Sequence, residues 1–484
     1  MITFLVGLLI LFAGYFTYSK YVEKQFEPDD RPTPAYAIND GVDFVPLSTK
    51  RNQMIQLLSI AGMGPIIGVI QGILFGPIAF LLIPLGCILM GAVHDYAAGM
   101  ISMRNNGMQV TGLIQKYLGK SWYYIFFGII AIMMLLVAVV FVYTSGDLIA
   151  SKFFHVSNFS LSNNTILYIY GAIIVYYMLS TMFSIDKIIG NLYPILGLIL
   201  IIGTLLVVVG FFIKGVNLQE IDFTHLNMHP KKLYLVPIFF MTISCGLLSG
   251  FHSTQSTIIA RTVKHEKEGR KVFYAMMCVE SFIAMVWAAA SMTVYNLHIV
   301  PEKFIGQIPA IQIITEHFVP SYLAFIVIIA IVVLPITTGD TSLRALRLTL
   351  SDAFKIKQTK VTGRFLINIP VFCAVMLLLY LVKSQPDGFA LVWRYFMFVN
   401  QLIVLPTFFY ATIYLYKNKK NYFITLLPGL LFVYIDMLFI LNAKIGFNLS
   451  YTLSSIIALI LVGISMFWLS KKLVKSGKRN EYNF

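Results

Sequence analysis

The sequence predicts an all-α polytopic membrane protein, and its composition and apolar pattern support this fold class. Of the 484 residues, 58% are apolar and only 12% are charged, and the mean hydropathy is +0.81. A soluble domain is about a quarter charged, so this composition could not cover a water-facing surface. A membrane helix needs roughly 20 apolar residues. The composition therefore excludes a soluble enzyme, a secreted disulfide scaffold and a disordered regulator.

Thirteen apolar segments follow one another along the chain, and the charges between them predict an orientation. The segments are approximately 2–19, 57–75, 77–102, 121–146, 164–183, 188–213, 234–256, 272–297, 321–343, 364–382, 389–416, 422–442 and 450–470. Alternate connections carry 28 Lys and Arg residues on one side and 7 on the other, and cytoplasmic loops collect such residues. We therefore expect a multi-pass membrane protein with its N-terminus outside and its C-terminus in the cytoplasm. The net charge of +15 then requires no nucleic-acid partner.

The first segment is expected to remain as a span, because it lacks the basic start and the small-residue cleavage site of a signal peptide. The sequence contains neither GxxxxGK[ST] nor a strand-flanked GxGxxG, so we expect no bound ATP. The four cysteines lie in apolar stretches without paired spacing, which favours neither a disulfide framework nor a metal site. The expected partners are the lipid bilayer and a small-molecule substrate, with H+ or Na+ as the coupling ion and no other cofactor.

Two of the thirteen segments contain residues that interrupt a helix. Gly costs about 1 kcal/mol and Pro about 3 kcal/mol in a helix interior. Backbone freed in this way is tolerated in a membrane only where it is buried or lines a cavity, and its peptide groups can then bind a solute. The predicted substrate-binding residues are Gly62, Gly64 and Pro65 in the second segment and Ser244, Gly246, Ser249, Gly250, His252 and Ser253 in the seventh.

The positions of these two interruptions predict an internal repeat. They are five segments apart and cross the membrane in opposite directions, which is typical of two inverted five-helix repeats with the site between them. The first repeat would cover 57–213 and the second 214–416. An N-terminal span and cytoplasmic loop (1–56) precede them, and two further spans with a basic tail (417–484) follow. Close helix packing by the glycines is the alternative explanation.

Ionisable residues inside spans are costly and usually functional. The candidates for ion coupling are Asp95, Glu280, Thr337, Thr338 and Asp340, and the candidate charge partners are His94, Arg344 and Arg394. Several of them have a structural alternative. Asp95 is near enough to the cytoplasmic end for solvation, and Asp340 and Arg344 have the i,i+4 spacing of a helix ion pair. Arg394 could extend to the outer face.

Six motifs, in order, resemble those of the carbon starvation protein A family of bacterial membrane transporters. They are NDGVDFVP (39–46), IAGMGPIIG (60–68), GAVHDY (91–96), MTISCGLLSGFHS (241–253), ESFIA (280–284) and DTSLRALR (340–347). The family looks like a branch of the amino acid–polyamine–cation superfamily, which implies a five-plus-five inverted-repeat core. Its members are similar to peptide-uptake proteins induced on nutrient exhaustion, and close relatives behave as proton-coupled pyruvate symporters.

The sequence thus predicts a secondary active transporter. It would import a small carboxylated nutrient, a short peptide or pyruvate, by ion-coupled alternating access in response to carbon starvation. The N–H groups at broken helix ends would suit the carboxylate of either substrate. A transporter-like nutrient sensor and an amino acid transporter are the alternatives. An intramembrane enzyme is not favoured, since the sequence has no HExxH and no GxSxG.

Overall fold

The computed structural model describes residues 1–156, 159–183, 189–300, 308–358, 360–385 and 388–481. Within these ranges the chain forms helices and no strand, which confirms the predicted all-α fold class. The connection 184–187, which we expected on the basic side, lies outside the described residues.

The helices are numbered in chain order. Those of the N-terminal half are α1 Ile2–Phe16, α2 Tyr18–Phe26, α3 Pro34–Ala37, α4 Thr49–Ile60, α5 Val69–Gly72, α6 Ala79–Gly86, α7 Ala92–Met103, α8 Val110–Tyr117, α9 Lys120–Phe153, α10 Asn164–Met182 and α11 Ile189–Lys214. Those of the C-terminal half are α12 Leu235–Thr242, α13 Ser244–Leu247, α14 Phe251–Ile259, α15 Ala275–Asn296, α16 Ile308–Phe318, α17 Ser321–Phe354, α18 Val361–Lys383, α19 Gly388–Leu402, α20 Val404–Lys417, α21 Phe423–Asn442 and α22 Tyr451–Glu481. Wider π turns occupy Gly64–Gly68, Cys87–Gly91 and Arg270–Tyr274, and 3-10 turns occupy Ile73–Phe75 and Glu266–Glu268.

The number of membrane spans is close to the predicted thirteen but does not confirm it. Among the described residues, eleven helices are long and apolar enough to cross a membrane, and a bent pair, Thr49–Ile60 with Gly64–Phe75, makes twelve. The remaining predicted segment, 234–256, is divided among α12, α13 and the start of α14. None of these three helices is long enough to cross a bilayer by itself.

The connections that we expected to share one side do meet on one face of the molecule. Arg104, just after α7, donates to Glu266 and to the carbonyl oxygen of Glu27, both at 2.8 Å. These contacts join the connections that follow α2, α7 and α14, and we call their side the basic face. On the opposite face the amino group of Met1 contacts Glu220. The side assignments of these connections therefore agree with the predicted alternation, while the cytoplasmic location of the basic face stays a prediction.

A short tether on the basic face joins the start of α4 to the end of α14. The N–H of Leu47 donates to the carbonyl oxygen of Thr262 at 3.0 Å. Two side-chain bonds accompany it: the amide of Asn52 donates to the same carbonyl at 3.1 Å, and the Thr262 hydroxyl donates to Asn52 at 2.6 Å. The helix before the first interruption and the helix after the second are thus connected on the basic face.

Three helices form the centre of the molecule. Every residue of α7 and of α14 is buried, and α15 is buried over nearly its whole length. Large apolar side chains at the periphery are open instead, for example Phe212 on α11, which is 86% exposed. Since lipid covers such peripheral side chains in a membrane protein, the polar residues of α7, α14 and α15 are separated from lipid by other helices.

Candidate substrate and ion site

The first interruption follows α4, where the chain bends by 56° before it resumes as a π turn and α5. Pro65 lacks an N–H, so it cannot bond back to the preceding turn, and Gly64 before it offers little resistance to bending. The carbonyl oxygen of Leu58, in the last turn of α4, accepts hydrogen bonds from the hydroxyls of Thr337 and Thr338, both at 3.1 Å. Two predicted ion-coupling residues of α17 therefore lie against the end of α4.

The second interruption separates α12 from α14. Leu248, directly after α13, has an extended backbone (φ −166°, ψ 128°) that ends the helical path, and α14 begins three residues later. The Ser253 hydroxyl donates to the carbonyl oxygen of Gly250 at 2.7 Å. In this conformation the Ser253 hydroxyl is therefore hydrogen-bonded to the backbone of its own interruption.

The two interruptions touch each other. A methyl group placed on Gly64 would lie 2.2 Å from the Cys245 side chain, and one on Gly68 would lie 2.5 Å from the carbonyl oxygen of Thr242. Glycine allows this approach because it has no side chain. The sequence predicts that the interruptions offer bare peptide groups to a solute. In this conformation they instead contact one another, so the glycines act in packing as well as in breaking the helices.

Four ionisable residues from the predicted site converge at the start of α14, and we call them the buried tetrad. Nδ1 of His252 lies 3.1 Å from one carboxylate oxygen of Asp95 on α7. The other oxygen of Asp95 lies 3.0 Å from Nδ1 of His94. Nε2 of His252 faces Glu280 on α15 at 3.6 Å. All four side chains are fully buried, so Asp95 is not solvated from the helix end.

The tetrad leaves polar atoms without hydrogen-bond partners. These are Nε2 of His94, Nε2 of His252 and both carboxylate oxygens of Glu280. A separation of 3.6 Å is too long for a hydrogen bond, and an unpaired buried polar group costs about 1–3 kcal/mol. A proton shared between His252 and Glu280 would give both groups a partner. Among the described residues, no group of three or more His, Cys, Asp and Glu side chains could hold a metal ion.

Asp340, the third predicted carboxylate, lies in a separate cluster between α10, α11 and α17. One of its oxygens accepts hydrogen bonds from Ser180 at 2.6 Å, Tyr193 at 3.1 Å and Tyr176 at 3.3 Å. The other oxygen is buried without a partner. Tyr176 also lines an apolar cavity of about 690 Å³ between α9, α10, α11 and α17.

Arg344 does not form the ion pair with Asp340 that its spacing suggested. It extends to Asp43, in the loop before α4, at 3.0 Å, and Arg347 reaches the same carboxylate at 3.0 Å. Burial by itself would raise the pKa of Asp43, but the charges of Arg347 and Arg344 hold that pKa at about 2. The DTSLRALR motif therefore joins α17 to the NDGVDFVP motif, a long-range contact that helix spacing could not reveal.

Two other predicted residues lie away from the polar clusters. Arg394 is exposed on α19, so it does not contribute to the buried tetrad or to the Asp340 cluster. Gly62 packs on Phe141, whose ring would lie 2.8 Å from an added methyl group.

The sequence reasoning missed two residues that contact the second interruption, Asn400 and Gln401 at the end of α19. The amide oxygen of Asn400 accepts hydrogen bonds from the N–H of Phe251 at 2.7 Å and from the Ser249 hydroxyl at 3.1 Å. Gln401 donates to the carbonyl oxygen of Leu248 at 3.3 Å. Both side chains are fully buried. The sequence signal for these residues is a pair of adjacent amides inside an apolar span. It does not identify their contacts, because the Phe251 N–H that bonds to Asn400 lies 149 residues earlier.

Comparisons with known proteins place similar sequences and folds among membrane proteins. Residues 1–193 and 143–315 match the family of carbon starvation protein CstA. An uncharacterized membrane protein of Haemophilus influenzae is 37% identical over 340 residues, which are 61% of this chain and 92% of that protein. Peptide transporter CstA of Bacillus subtilis is 38% identical over 92 residues, 19% of this chain and 15% of that protein. A manganese transporter of Eremococcus coleocola has a similar fold, with a TM-score of 0.58, 10% identity and coverage of 89% of this chain and 94% of that one.

Proposed function

This chain belongs to the carbon starvation protein CstA family. From that premise we propose that it is a membrane transporter that imports a small carboxylated nutrient, a short peptide or pyruvate, by proton-coupled alternating access. We further propose that it acts in the bacterial cell membrane, with the basic face in the cytoplasm, when carbon sources are exhausted. The buried tetrad is the observation that carries the proposal.

A carboxylated substrate is supported by the helix ends at the interruptions. The N-terminus of a helix attracts negative charge, because its first N–H groups lack partners within the helix. α14 begins in the protein interior, where such an interaction is not weakened by water. The name of the Bacillus subtilis relative, a peptide transporter, agrees with this class of substrate.

Proton coupling is supported by the position of the tetrad. His252 belongs to α14 and faces Asp95 on α7 and Glu280 on α15, so protonation of the tetrad changes the attraction between an interrupted helix and its neighbours. Separation of the touching interruptions would admit a solute and alter these same contacts. A shared step of this kind couples proton binding to substrate binding.

Sodium is the alternative coupling ion, and one specific observation favours it. The hydroxyls of Thr337 and Thr338 and the carbonyl oxygen of Leu58 form a group of neutral oxygens at the end of α4. Hard cations prefer oxygen ligands. A test of coupling therefore requires a sodium gradient as a separate arm.

Transport into proteoliposomes tests the proposal. Vesicles that contain the purified protein and a trapped pH dye are offered dialanine or pyruvate, with a proton gradient, a sodium gradient or neither. We expect substrate accumulation only with the proton gradient, accompanied by acidification of the lumen. Accumulation driven by sodium alone would replace proton by sodium coupling, and uptake that ignores both gradients would exclude symport.

Variants of the tetrad connect the activity to the site. Asp95→Asn and Glu280→Gln should lose proton-driven accumulation by about tenfold or more, while exchange of labelled for unlabelled substrate continues. Asp436→Asn is the matched control, since Asp436 is also a fully buried carboxylate but lies on α21, outside the tetrad. A loss of coupling in Asp436→Asn equal to that in Glu280→Gln would contradict the assignment.

A further inference from the structure

The end of α19 supplies the hydrogen-bond partners of the second interruption. At the start of α14, the N–H groups of His252 and Ser253 are satisfied by carbonyl oxygens within the interruption, at 3.2 Å each. The N–H of Phe251 has a side-chain acceptor instead, the amide oxygen of Asn400 at 2.7 Å. Asn400 also donates to the Ser244 hydroxyl at 3.5 Å. A neutral amide thus occupies the position in which a helix end favours a negative charge.

The contact is close as well as polar. A methyl group on Gly250 would lie 2.2 Å from the backbone oxygen of Asn400 and 2.8 Å from Cβ of Ile403. This contact is made by the backbone of α19 and by Ile403, so it persists in Asn400→Ala, and the side-chain oxygen of Asn400 is the group that competes for the Phe251 N–H. A carboxylate is a stronger acceptor than an amide for the same donor, so a substrate carboxylate has the chemistry to replace the Asn400 oxygen.

Gln401 adds a second, independent feature at the same interruption. Its amide nitrogen donates to the carbonyl oxygens of Phe240 at 3.1 Å and Leu248 at 3.3 Å. Because carbonyls can only accept, these two bonds fix the orientation of the amide. The amide oxygen is then fully buried without a hydrogen-bond partner. An unpaired buried acceptor of this kind discriminates strongly between ligands that carry an N–H donor and ligands that do not.

We propose that Asn400 and Gln401 determine substrate specificity: the oxygen of Asn400 holds the place of the substrate carboxylate until it is displaced, and the oxygen of Gln401 accepts a hydrogen bond from a substrate N–H. This inference rests on the proposed function and deepens it. Pyruvate supplies the carboxylate but no N–H, whereas a short peptide supplies both. The pair therefore selects a peptide over pyruvate.

Binding to the full-length protein in lipid nanodiscs tests the inference, with dialanine and pyruvate as probes and titration calorimetry as the measurement. Wild-type protein should bind dialanine more tightly than pyruvate. Asn400→Ala removes the competing oxygen and should tighten binding of both probes about fivefold, the equivalent of one hydrogen bond. Asn400→Asp places a carboxylate there, a stronger acceptor for the Phe251 N–H than the amide, and should weaken both at least about tenfold. These opposite signs exclude a purely structural role, for which both variants would weaken binding.

Gln401→Met removes the unpaired oxygen together with the two bonds to Phe240 and Leu248. Loss of those two bonds would affect both probes alike, so dialanine should lose about fivefold more affinity than pyruvate. Asn368→Ala is the control for loss of a buried amide, because Asn368 bonds to Thr181 on another helix pair; it should bind both probes like wild type. Weaker binding by Asn400→Ala, or equal losses of both probes in Gln401→Met, would overturn the inference alone. If Asn400→Ala fails to fold, the Asn400→Asp and Gln401→Met results decide. A wild-type protein that binds neither probe would overturn the proposed function, and this inference with it.

Discussion

At the scale of single residues, the two carboxylates of the tetrad are in opposite situations. Asp95 uses both oxygens, one for each imidazole, at 3.0 and 3.1 Å. Glu280 uses neither oxygen, although it is equally buried. Asp95 therefore stabilises the centre of the protein, whereas Glu280 is retained at a cost to stability. Ionisable groups kept at such a cost inside a membrane are usually functional.

This difference predicts stability changes of opposite sign. Glu280→Met keeps the side-chain volume and removes two unpaired oxygens, so the free energy of unfolding should rise by about 1–3 kcal/mol. Asp95→Leu leaves two buried imidazole nitrogens unpaired and should lower it by about 1–3 kcal/mol for each. Thermal unfolding in detergent measures both, and both variants should lose proton-driven accumulation.

Asp436 provides the comparison for this pair of variants. Its two oxygens are also buried and unpartnered, but it lies on α21, away from the tetrad. Asp436→Leu should therefore stabilise the protein like Glu280→Met while transport continues. If Glu280→Met and Asp95→Leu lowered the unfolding temperature equally, the assignment of different roles to the two carboxylates would be wrong.

At the scale of helices, the two interruptions are built to touch. Gly64→Ala would force a methyl group against Cys245, at 2.2 Å, so we expect a loss of about 1–3 kcal/mol in stability. The double variant Gly64→Ala with Cys245→Gly removes the obstructing side chain and should recover most of that loss. Unfolding temperature and substrate uptake are the two measurements.

Gly128→Ala is the control for the helix-scale prediction. An added methyl group at Gly128, on α9, meets no atom within 4 Å, so this change should be neutral or raise stability by up to about 1 kcal/mol. Failure of Cys245→Gly to restore the Gly64→Ala protein would show that the first interruption requires Gly64 for its backbone rather than for its contact.

The positions of the interruptions could be predicted from the sequence, but their partners could not. Gly64 and Pro65 act locally, because Pro lacks an N–H wherever it occurs, and the structure bends there. The amide of Asn400 bonds to a peptide group 149 residues earlier, and no spacing rule expresses such a pair. The sequence likewise could not show that Asp95, His252 and Glu280 lie close together. It identified each of them separately, as an ionisable residue within an apolar segment.

At the scale of the whole molecule, Asp43 connects the loop before α4 to α17. It bonds to Arg344 and Arg347 at 3.0 Å each, and Arg344 also donates to the carbonyl oxygen of Ser180 at the end of α10, at 2.6 Å. One carboxylate in a loop thereby joins elements from both predicted repeats. The boundaries of those repeats stay a prediction.

Asp43 gives the fold a defined response to acid. Its pKa of about 2 in the folded protein lies below the value of ~3.9 for an unfolded Asp. The carboxylate therefore stabilises the fold above about pH 4, and this contribution is lost as the pH falls toward 2. Asp43→Asn leaves two buried guanidinium groups without their counter-ion and should cost about 3–5 kcal/mol at pH 7. Unfolding measured between pH 7 and pH 2 should show a smaller loss of stability for the variant than for wild type.

Asp222→Asn is the control, because Asp222 is half exposed and bonds only to its neighbours Thr224 and His225. Its profile should stay much closer to wild type than that of Asp43→Asn, because solvent screens the charge of an exposed carboxylate. An Asp43→Asn protein as stable as wild type at pH 7 would exclude the loop as a structural connection.

The tether between Leu47, Asn52 and Thr262 has a mechanical consequence. Because it holds the beginning of α4 to the end of α14 in this conformation, a separation of the two interruptions would begin on the side away from the basic face. Release of a solute toward the basic face would then require these three hydrogen bonds to break.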